Sequence, residues 1–199
     1  MGKEALYHVD PTTLNDLQTR VGYLKRFIGF TEDDEAALHA AAPIVAPLVP
    51  AIVDAVYEKL LSFDITAKSF VPKQTGYSGE DPTNLEDLTP THPMIRFRKD
   101  IHGKYLVKLV TLNYQKPESW AYLDKVGLMH TGRAGFAHRI SKPALRVDYI
   151  HCAILLGYVE DILVQTVVAH PDLDVATKTA VTRAANKVFH PPPSLAFMT

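Results

Sequence analysis

The chain has 199 residues, of which 47% are hydrophobic and 22% charged, and its 21 basic and 22 acidic side chains give a formal net charge of -1. This size and composition predict one globular domain that buries a core, and the near-neutral charge gives no reason to expect nucleic acid or acidic membranes as partners. A single cysteine, Cys152, excludes an intrachain disulfide, a CxxC zinc pair and a CxxCH haem attachment site.

The N-terminal segment, MGKEALYHVD, has no apolar stretch of signal-peptide length, and it lacks the Ser or Thr that myristoylation at Gly2 requires. No later segment has about eighteen uncharged apolar residues in a row. We therefore expect a cytoplasmic protein without a membrane partner, which agrees with the reducing compartment that one cysteine favours. Residues 1–11 are interpreted as an N-terminal extension.

The first two helices are indicated by periodicity and by their caps. Apolar residues recur at three- and four-residue steps over residues 12 to 28, which predicts an amphipathic helix that ends at Gly29. A second helix is expected to start with Thr31 as its N-cap, because acidic residues follow in the first turn, where the helix dipole favours them.

Three prolines between residues 43 and 50 mark the boundary between the second and third helices. Proline is poorly tolerated inside a helix but opens one well, so the second helix should end or kink near Ala42 and a third should begin by about Pro50. The third helix carries a broad apolar face that includes Val56 and Tyr57, which predicts that this face is buried.

Residues 71 to 93 contain several prolines and no sustained period, which predicts a long surface loop. The next helix is expected from residue 94 to about residue 112. Five residues are expected on one side of this helix: Phe97, Ile101, Lys104, Tyr105 and Lys108.

Three more helices are predicted in the second half of the chain. Pro117 opens a helix that should stop at Gly132, and a last helix follows Pro171 and ends before a proline-rich tail at residues 190–199. Between them, residues 141 to 170 form the longest apolar stretch, which predicts the central helix of the core. Its apolar residues in phase are Leu145, Tyr149, Cys152, Ala153, Leu156, Leu163 and Val167. No segment has the pattern of a strand, so the expected fold class is all-α.

One histidine, His130, lies in the short segment VGLMHTG, between an apolar helix and a glycine. An isolated histidine in such a place is most often a core residue whose ring nitrogens bond to neighbouring carbonyls. The alternative, a metal ligand, depends on the rest of the chain.

Three segments of the chain, taken in their order, resemble the protoglobins and the globin domains of globin-coupled sensors. The segments are TEDDEAALHAAAPIVAPLVPAIVDAVYEKLLSF, RFRKDIHGKYL and VGLMHTG. The resemblance covers about residues 12 to 190 and includes an extra helix before the first globin helix. It implies an all-α globin fold, a helical sandwich around haem, with residues 1–199 as a single domain. It also implies a haem b protein that reversibly binds dioxygen, carbon monoxide or nitric oxide.

On this resemblance, His130 is the proximal ligand of the haem iron. A neutral imidazole suits iron, and its second nitrogen can donate to a carbonyl one turn back. Tyr57 falls where these families place a tyrosine whose hydroxyl points at the gas ligand, so Tyr57→Phe is expected to speed dioxygen dissociation about tenfold. Tyr105 is the alternative donor.

Other histidines compete with His130 for the metal. His138 and His151 are the rivals, and both are interpreted as structural. His102 is next to Ile101 but about 100° further round the helix, so it is expected to miss the pocket. The sequence offers no distal pair of histidine and arginine, the pair that would normally carry peroxide chemistry.

The resemblance also indicates what surrounds the haem. Archaeal protoglobins line the distal side with large aromatics, whereas this chain has Val56, Ile101 and Ala153 there, which implies a roomier pocket. Phe97 either fills part of that space or packs beneath the long loop. The candidates for binding the haem propionates are Lys104, Arg98 and Arg133. The candidate cofactor contacts together are His130, Tyr57, Val56, Phe97, Ile101, Lys104, Tyr105, Met129, Tyr149 and Ala153.

The apolar surfaces of the last two helices exceed what a monomer of this size would bury, which predicts a homodimer through these helices. The candidate residues of the shared face are Leu155, Val159, Ile162, Val181 and Val188. Two other functions stay open: a haem-free globin-fold regulatory or interaction domain, and a haem enzyme that acts on nitric oxide or peroxide. Because the sequence contains neither a reductase domain nor a flavin motif, enzyme status stays open.

Overall fold

The computed structural model describes residues 6–72, 74, 76–132 and 146–189. Within these ranges the chain is helical and forms no β-strand, which confirms the predicted all-α class. The α-helices are α1 (Leu17–Ile28), α2 (Glu32–Val45), α3 (Val49–Leu61), α4 (Asp64–Ala67), α5 (Pro93–Leu109), α6 (Pro117–Leu128), α7 (Tyr149–Ala169) and α8 (Val175–Phe189). Short 3₁₀ turns cover Pro11–Asn15, Ala46–Leu48, Lys68–Phe70 and Leu85–Asp87.

The first helix starts later than predicted but ends where the sequence indicates. Asp16 caps α1 by accepting a hydrogen bond from the backbone N–H of Thr19 at 2.8 Å, so the residues before it form a separate 3₁₀ turn. Gly29 closes the helix at φ 63°, a left-handed conformation that glycine adopts without steric cost.

The second helix continues through Pro43 to Val45, beyond the predicted end or kink near Ala42. A proline inside a helix removes one backbone hydrogen bond, and packing of the helix can offset that loss. Here Leu38, Ala41 and Val45 are buried on one face of α2, which packs against α8. A 3₁₀ turn then leads almost directly into α3.

The core lies between three helix pairs: α2 with α8, α3 with α5, and α7 with α8. The fully buried residues of α7, Val159, Leu163 and Val167, lie from the middle of the helix onward. The prediction that Tyr149 lies in the buried phase of this helix is wrong, since its side chain is 60% exposed. Leu145, the first residue predicted in phase, lies outside the described residues.

Three of the residues predicted for the dimer face lie in the core of the single chain. Val159, Val181 and Val188 are buried within the chain itself, and Leu155 and Ile162 pack partly buried against the same core. The apolar stripes of α7 and α8 therefore pack against each other within the chain, and they also contact α3 and α2 respectively. An apolar stripe shows that a helix is covered but does not show which chain covers it.

Two helical stretches, Glu32–Leu61 and Tyr149–Ala169, have the length and apolar composition of a membrane span. This finding differs from the expectation drawn from the sequence, because both stretches include charged residues. Core helices of soluble proteins have the same length and composition, and both stretches contribute buried residues such as Val53 and Leu163 to the core.

Candidate functional site

Tyr57 lies at the contact between α3 and α5 and is completely buried. Its hydroxyl oxygen is 2.6 Å from Nδ1 of His102, and the two rings pack with their centroids 5.4 Å apart. On another side, the ring of Phe70 packs against Tyr57 at 5.5 Å. We refer to Tyr57 and His102 as the distal pair.

The position of His102 corrects the expectation that this residue misses the pocket. The inward face of α5 is defined by Ile95 and Leu109, which are almost completely buried, and His102 lies two helical turns from each of them. Ile101 is 42% exposed instead. The predicted inward face of α5 was wrong by one residue because Ile101 is apolar and His102 is not. The seven-residue spacing of Ile95, His102 and Leu109, which indicates the correct face, is visible in the sequence.

Burial controls the protonation of the distal pair. It raises the pKa of Tyr57 far above its usual range, with a smaller opposing effect from the charge of Arg98. The pKa of His102 is lowered to about 4, first by burial and then by the charges of His130 and Arg98. At neutral pH the pair is therefore a neutral phenol beside a neutral imidazole.

His130 lies in the turn after α6, a helix that ends at Leu128 rather than at the predicted Gly132. Its Nδ1–H donates to the backbone carbonyl of Val126 at 2.8 Å, which confirms the predicted hydrogen bond one turn back. A neutral ring that carries its proton on Nδ1 has its lone pair on Nε2, the form that binds a metal. We refer to residues 126–132 as the proximal turn.

Backbone contacts fix the proximal turn at both ends. The N–H of His130 donates to the carbonyl of Gly127 at 3.0 Å, and the carbonyl of His130 accepts from the N–H of Val147 at 2.8 Å. Gly132 has φ 77°, which lets the chain turn away directly after the histidine. The orientation of His130 is therefore set by the local backbone.

His130 lies close enough to the distal pair for its charge to contribute to the lowered pKa of His102. This donor set fits haem, because a neutral histidine ring that donates from Nδ1 is in the tautomer whose Nε2 coordinates iron, and a neutral phenol and imidazole accompany it. Among the described residues, no three His, Cys, Asp or Glu side chains converge to hold a bare metal ion. The arrangement suits a metal that a macrocycle already holds.

The structure shows the surroundings of further residues that were predicted to contact the cofactor. Phe97 packs against Tyr77 with ring centroids 5.7 Å apart, so it lies beneath the long loop, the second of the two predicted placements. Tyr105 packs against Tyr122 at 6.3 Å, and burial raises its pKa well above the usual range. Lys104 is exposed, as Tyr149 is.

Val56 is buried beside Tyr57 on α3, and Met129 and Ala153 are half-buried. Arg133 and His138 lie outside the described residues. His151 is half-buried on α7, and its Nδ1 has no hydrogen-bond partner in the described part of the chain. Within the described residues, Nδ1 of His151 therefore lacks the kind of bond that Nδ1 of His130 makes to the carbonyl of Val126.

Arg98, one turn before His102 on α5, stabilises the surroundings of the distal pair. Its Nη2 donates to the carbonyl of Pro72 at 2.6 Å and, at 3.4 Å, to that of Phe70, and the guanidinium stacks over the Phe70 ring. A histidine and an arginine therefore lie one turn apart on α5 near Tyr57, an arrangement not predicted from the sequence. The sequence pattern hides this pair, because it places His102 on the other side of α5.

Comparison with known proteins gives two findings. The sequence profile described as Protoglobin matches residues 17–190. The structure matches the globin domain of a globin-coupled sensor from Geobacter sulfurreducens with a TM-score of 0.64 and 16% identity, over 89% of this chain and 97% of that domain. A search of curated proteins gives no significant match. At this identity the structural likeness shows the globin fold alone, and the profile match covers most of the chain.

Proposed function

This chain belongs to the protoglobin family, and on that premise we propose that it is a haem b protein that reversibly binds dioxygen, carbon monoxide or nitric oxide. The observation that carries the proposal is the hydrogen bond from His130 Nδ1–H to the carbonyl of Val126. This bond selects the tautomer whose Nε2 can coordinate iron and holds the ring in one orientation.

In this proposal His130 is the axial ligand of the iron, and Tyr57 contributes a polar group on the distal side. Val56, Met129 and Ala153 would contact the macrocycle from α3, the proximal turn and α7. Lys104 is exposed on α5, and its ammonium group would bind a haem propionate at the pocket edge. When bound, haem supplies the iron to which the gas binds, while the protein selects among gases by the hydrogen bonds it offers.

The proposal also concerns where the protein works and in what form. We place it in the cytoplasm, without a nucleic-acid or membrane partner, as a homodimer.

Since most of the predicted dimer face is buried in one chain, the exposed apolar residues of α7 are the better candidates for the dimer contact: Ile150, Ile154 and Val168. Ile154→Glu should shift a dimer to a monomer in sedimentation, and a wild-type monomer at high micromolar concentration would exclude the dimer.

A visible absorption spectrum of the purified protein tests the haem assignment. We expect a haem b spectrum in the wild type and its loss or strong change in His130→Ala, because the axial nitrogen is removed. His151→Ala is the matched control, since His151 is a half-buried histidine on α7 and should leave the spectrum unchanged. A colourless wild type that takes up no added haemin would instead support the haem-free regulatory domain.

A further inference from the structure

The hydrogen bond within the distal pair has a direction that the surroundings determine. Tyr57 is 0% exposed, and in the described part of the chain its hydroxyl bonds only to His102 Nδ1, at 2.6 Å. If Nδ1–H donated to the phenol oxygen, the phenol hydrogen would be buried without a protein acceptor, which is costly. If the phenol O–H donates to Nδ1, the buried phenol hydrogen has a partner, and the imidazole proton is on Nε2, which is not among the buried side-chain atoms that lack a partner in the described part of the chain.

This direction fixes the tautomer of His102. A neutral imidazole carries one N–H, and Nδ1 acts as an acceptor here, so the proton is on Nε2. Nε2 lies on the edge of the ring away from Nδ1, and therefore away from the hydroxyl of Tyr57. The ring thus presents an N–H donor on the edge that faces away from Tyr57.

We propose that Nε2–H of His102, and not the hydroxyl of Tyr57, donates the hydrogen bond to the gas ligand, and that Tyr57 is a positioning residue that holds His102 in this tautomer. The inference rests on the proposed gas-binding function and changes the identity of the donor. Tyr57 keeps its place on the distal side but acts through His102.

The packing around the pair makes the ring a fixed donor. Phe70 packs against the Tyr57 ring, and Arg98 binds the backbone carbonyl of Phe70, so α5 holds the segment that backs Tyr57. Arg98 and His102 are one turn apart on α5. The same helix therefore carries the proposed donor, His102, and the arginine that binds the Phe70 segment behind Tyr57. Tyr57 therefore lies between two aromatic neighbours and keeps its hydroxyl at His102.

The tautomer is measured by ¹⁵N NMR of the histidines in the diamagnetic carbon monoxide complex of the full chain. We expect a protonated Nε2 and an accepting Nδ1 for His102 in the wild type, and a mixture of tautomers in Tyr57→Phe. A wild-type His102 that carries its proton on Nδ1 overturns the inference, because the phenol hydrogen would then point to the gas ligand.

Stopped-flow dissociation of dioxygen supplies the second readout. We expect His102→Leu to speed dissociation roughly tenfold, Tyr57→Phe to speed it less, and the double variant to match His102→Leu, since Tyr57 acts through His102. His102→Gln keeps an N–H close to the Nε2 position and should stay near the wild-type rate. Tyr114→Phe removes another buried phenol, whose O–H donates to the carbonyl of Leu109, and as the matched control it should leave the dissociation rate unchanged.

Other outcomes separate the competing accounts. A larger effect of Tyr57→Phe than of His102→Leu makes Tyr57 the donor and overturns the inference while the gas-binding function stands. A six-coordinate, low-spin spectrum without gas that disappears in His102→Leu makes His102 an iron ligand and also overturns it. A chain that takes up no haem contradicts the proposed function itself and, with it, any role of His102 toward a gas.

Discussion

The distal pair and the proximal turn hold their histidines in opposite ways. His102 is oriented by another side chain, Tyr57, from a different helix, so its position depends on how α5 packs against α3. His130 is oriented by the backbone of its own turn, through Val126 and Gly127. Tertiary packing therefore fixes one histidine, whereas local chain geometry fixes the other.

This difference separates the effects expected from changes in each region. A change in the distal pair or in the packing of α5 should alter the stability of the core and the kinetics of gas binding. A change in the proximal turn should alter how haem is held, with little effect on the core. The largest effect is expected from a substitution in the core itself.

Ile95→Ala tests whether packing of α5 determines where His102 lies. Ile95 is 0% exposed, and truncating a buried isoleucine costs roughly 2–4 kcal/mol of unfolding free energy. Ile101→Ala, on the same helix but 42% exposed, should cost less than about 1 kcal/mol. Urea unfolding of both variants provides the comparison, and equal losses would mean that the inward face of α5 is assigned wrongly.

Gly132→Ala tests the backbone control of the proximal turn. At φ 77° an alanine is strained, and its Cβ would lie 3.3 Å from Cβ of Arg146, so we expect a loss of about 1–2 kcal/mol together with weaker haem retention. Dioxygen dissociation should change little, because the distal pair is untouched.

The control for that substitution is Gly157→Ala, which adds the same methyl group to a helical glycine with no heavy atom within 4 Å. This variant should be about 0.5–1 kcal/mol more stable than the wild type, because alanine favours the helix. Haem transfer to apomyoglobin measures retention, and a Gly132→Ala protein that keeps haem as the wild type does would refute the role of the turn.

The free energy of unfolding should depend on pH through His102 of the distal pair. The pKa of His102 is about 4 in the folded chain and 6.5 as an ordinary histidine, so between these values the unfolded chain binds the extra proton. Stability is therefore full above pH 6.5 and falls as the pH drops toward 4, by about 1 kcal/mol per pH unit for this group. His102→Gln should have a shallower slope in denaturant titrations over this range, and parallel slopes would show that His102 is not buried as described.

The sequence predicts those parts of the molecule that depend on neighbours along the chain. Gly29 ends α1, Pro117 opens α6, and the hydrogen bond from His130 to Val126 spans one turn, so local patterns were sufficient for all three. The globin fold was implied by the resemblance of three segments, in their order along the chain, to the protoglobins.

The distal pair could not be predicted in the same way. The apolar and charged residues of α5 are spread around the helix, and only contact with α3 decides whether Ile101 or His102 faces inward. Three residues predicted for the dimer face were misplaced for a related reason, because Val181 of α8, for example, is covered within the same chain. In both cases the missing information was which surface packs against the helix.

The most direct test of the account is replacement of His130 by glycine, followed by addition of free imidazole. If His130 is the axial ligand, His130→Gly loses the wild-type visible spectrum and imidazole restores it, because the small ring occupies the place of the missing side chain. His151→Gly should keep the wild-type spectrum without imidazole. A wild-type spectrum in His130→Gly before imidazole is added would contradict the assignment of His130 and the globin-type site built on it.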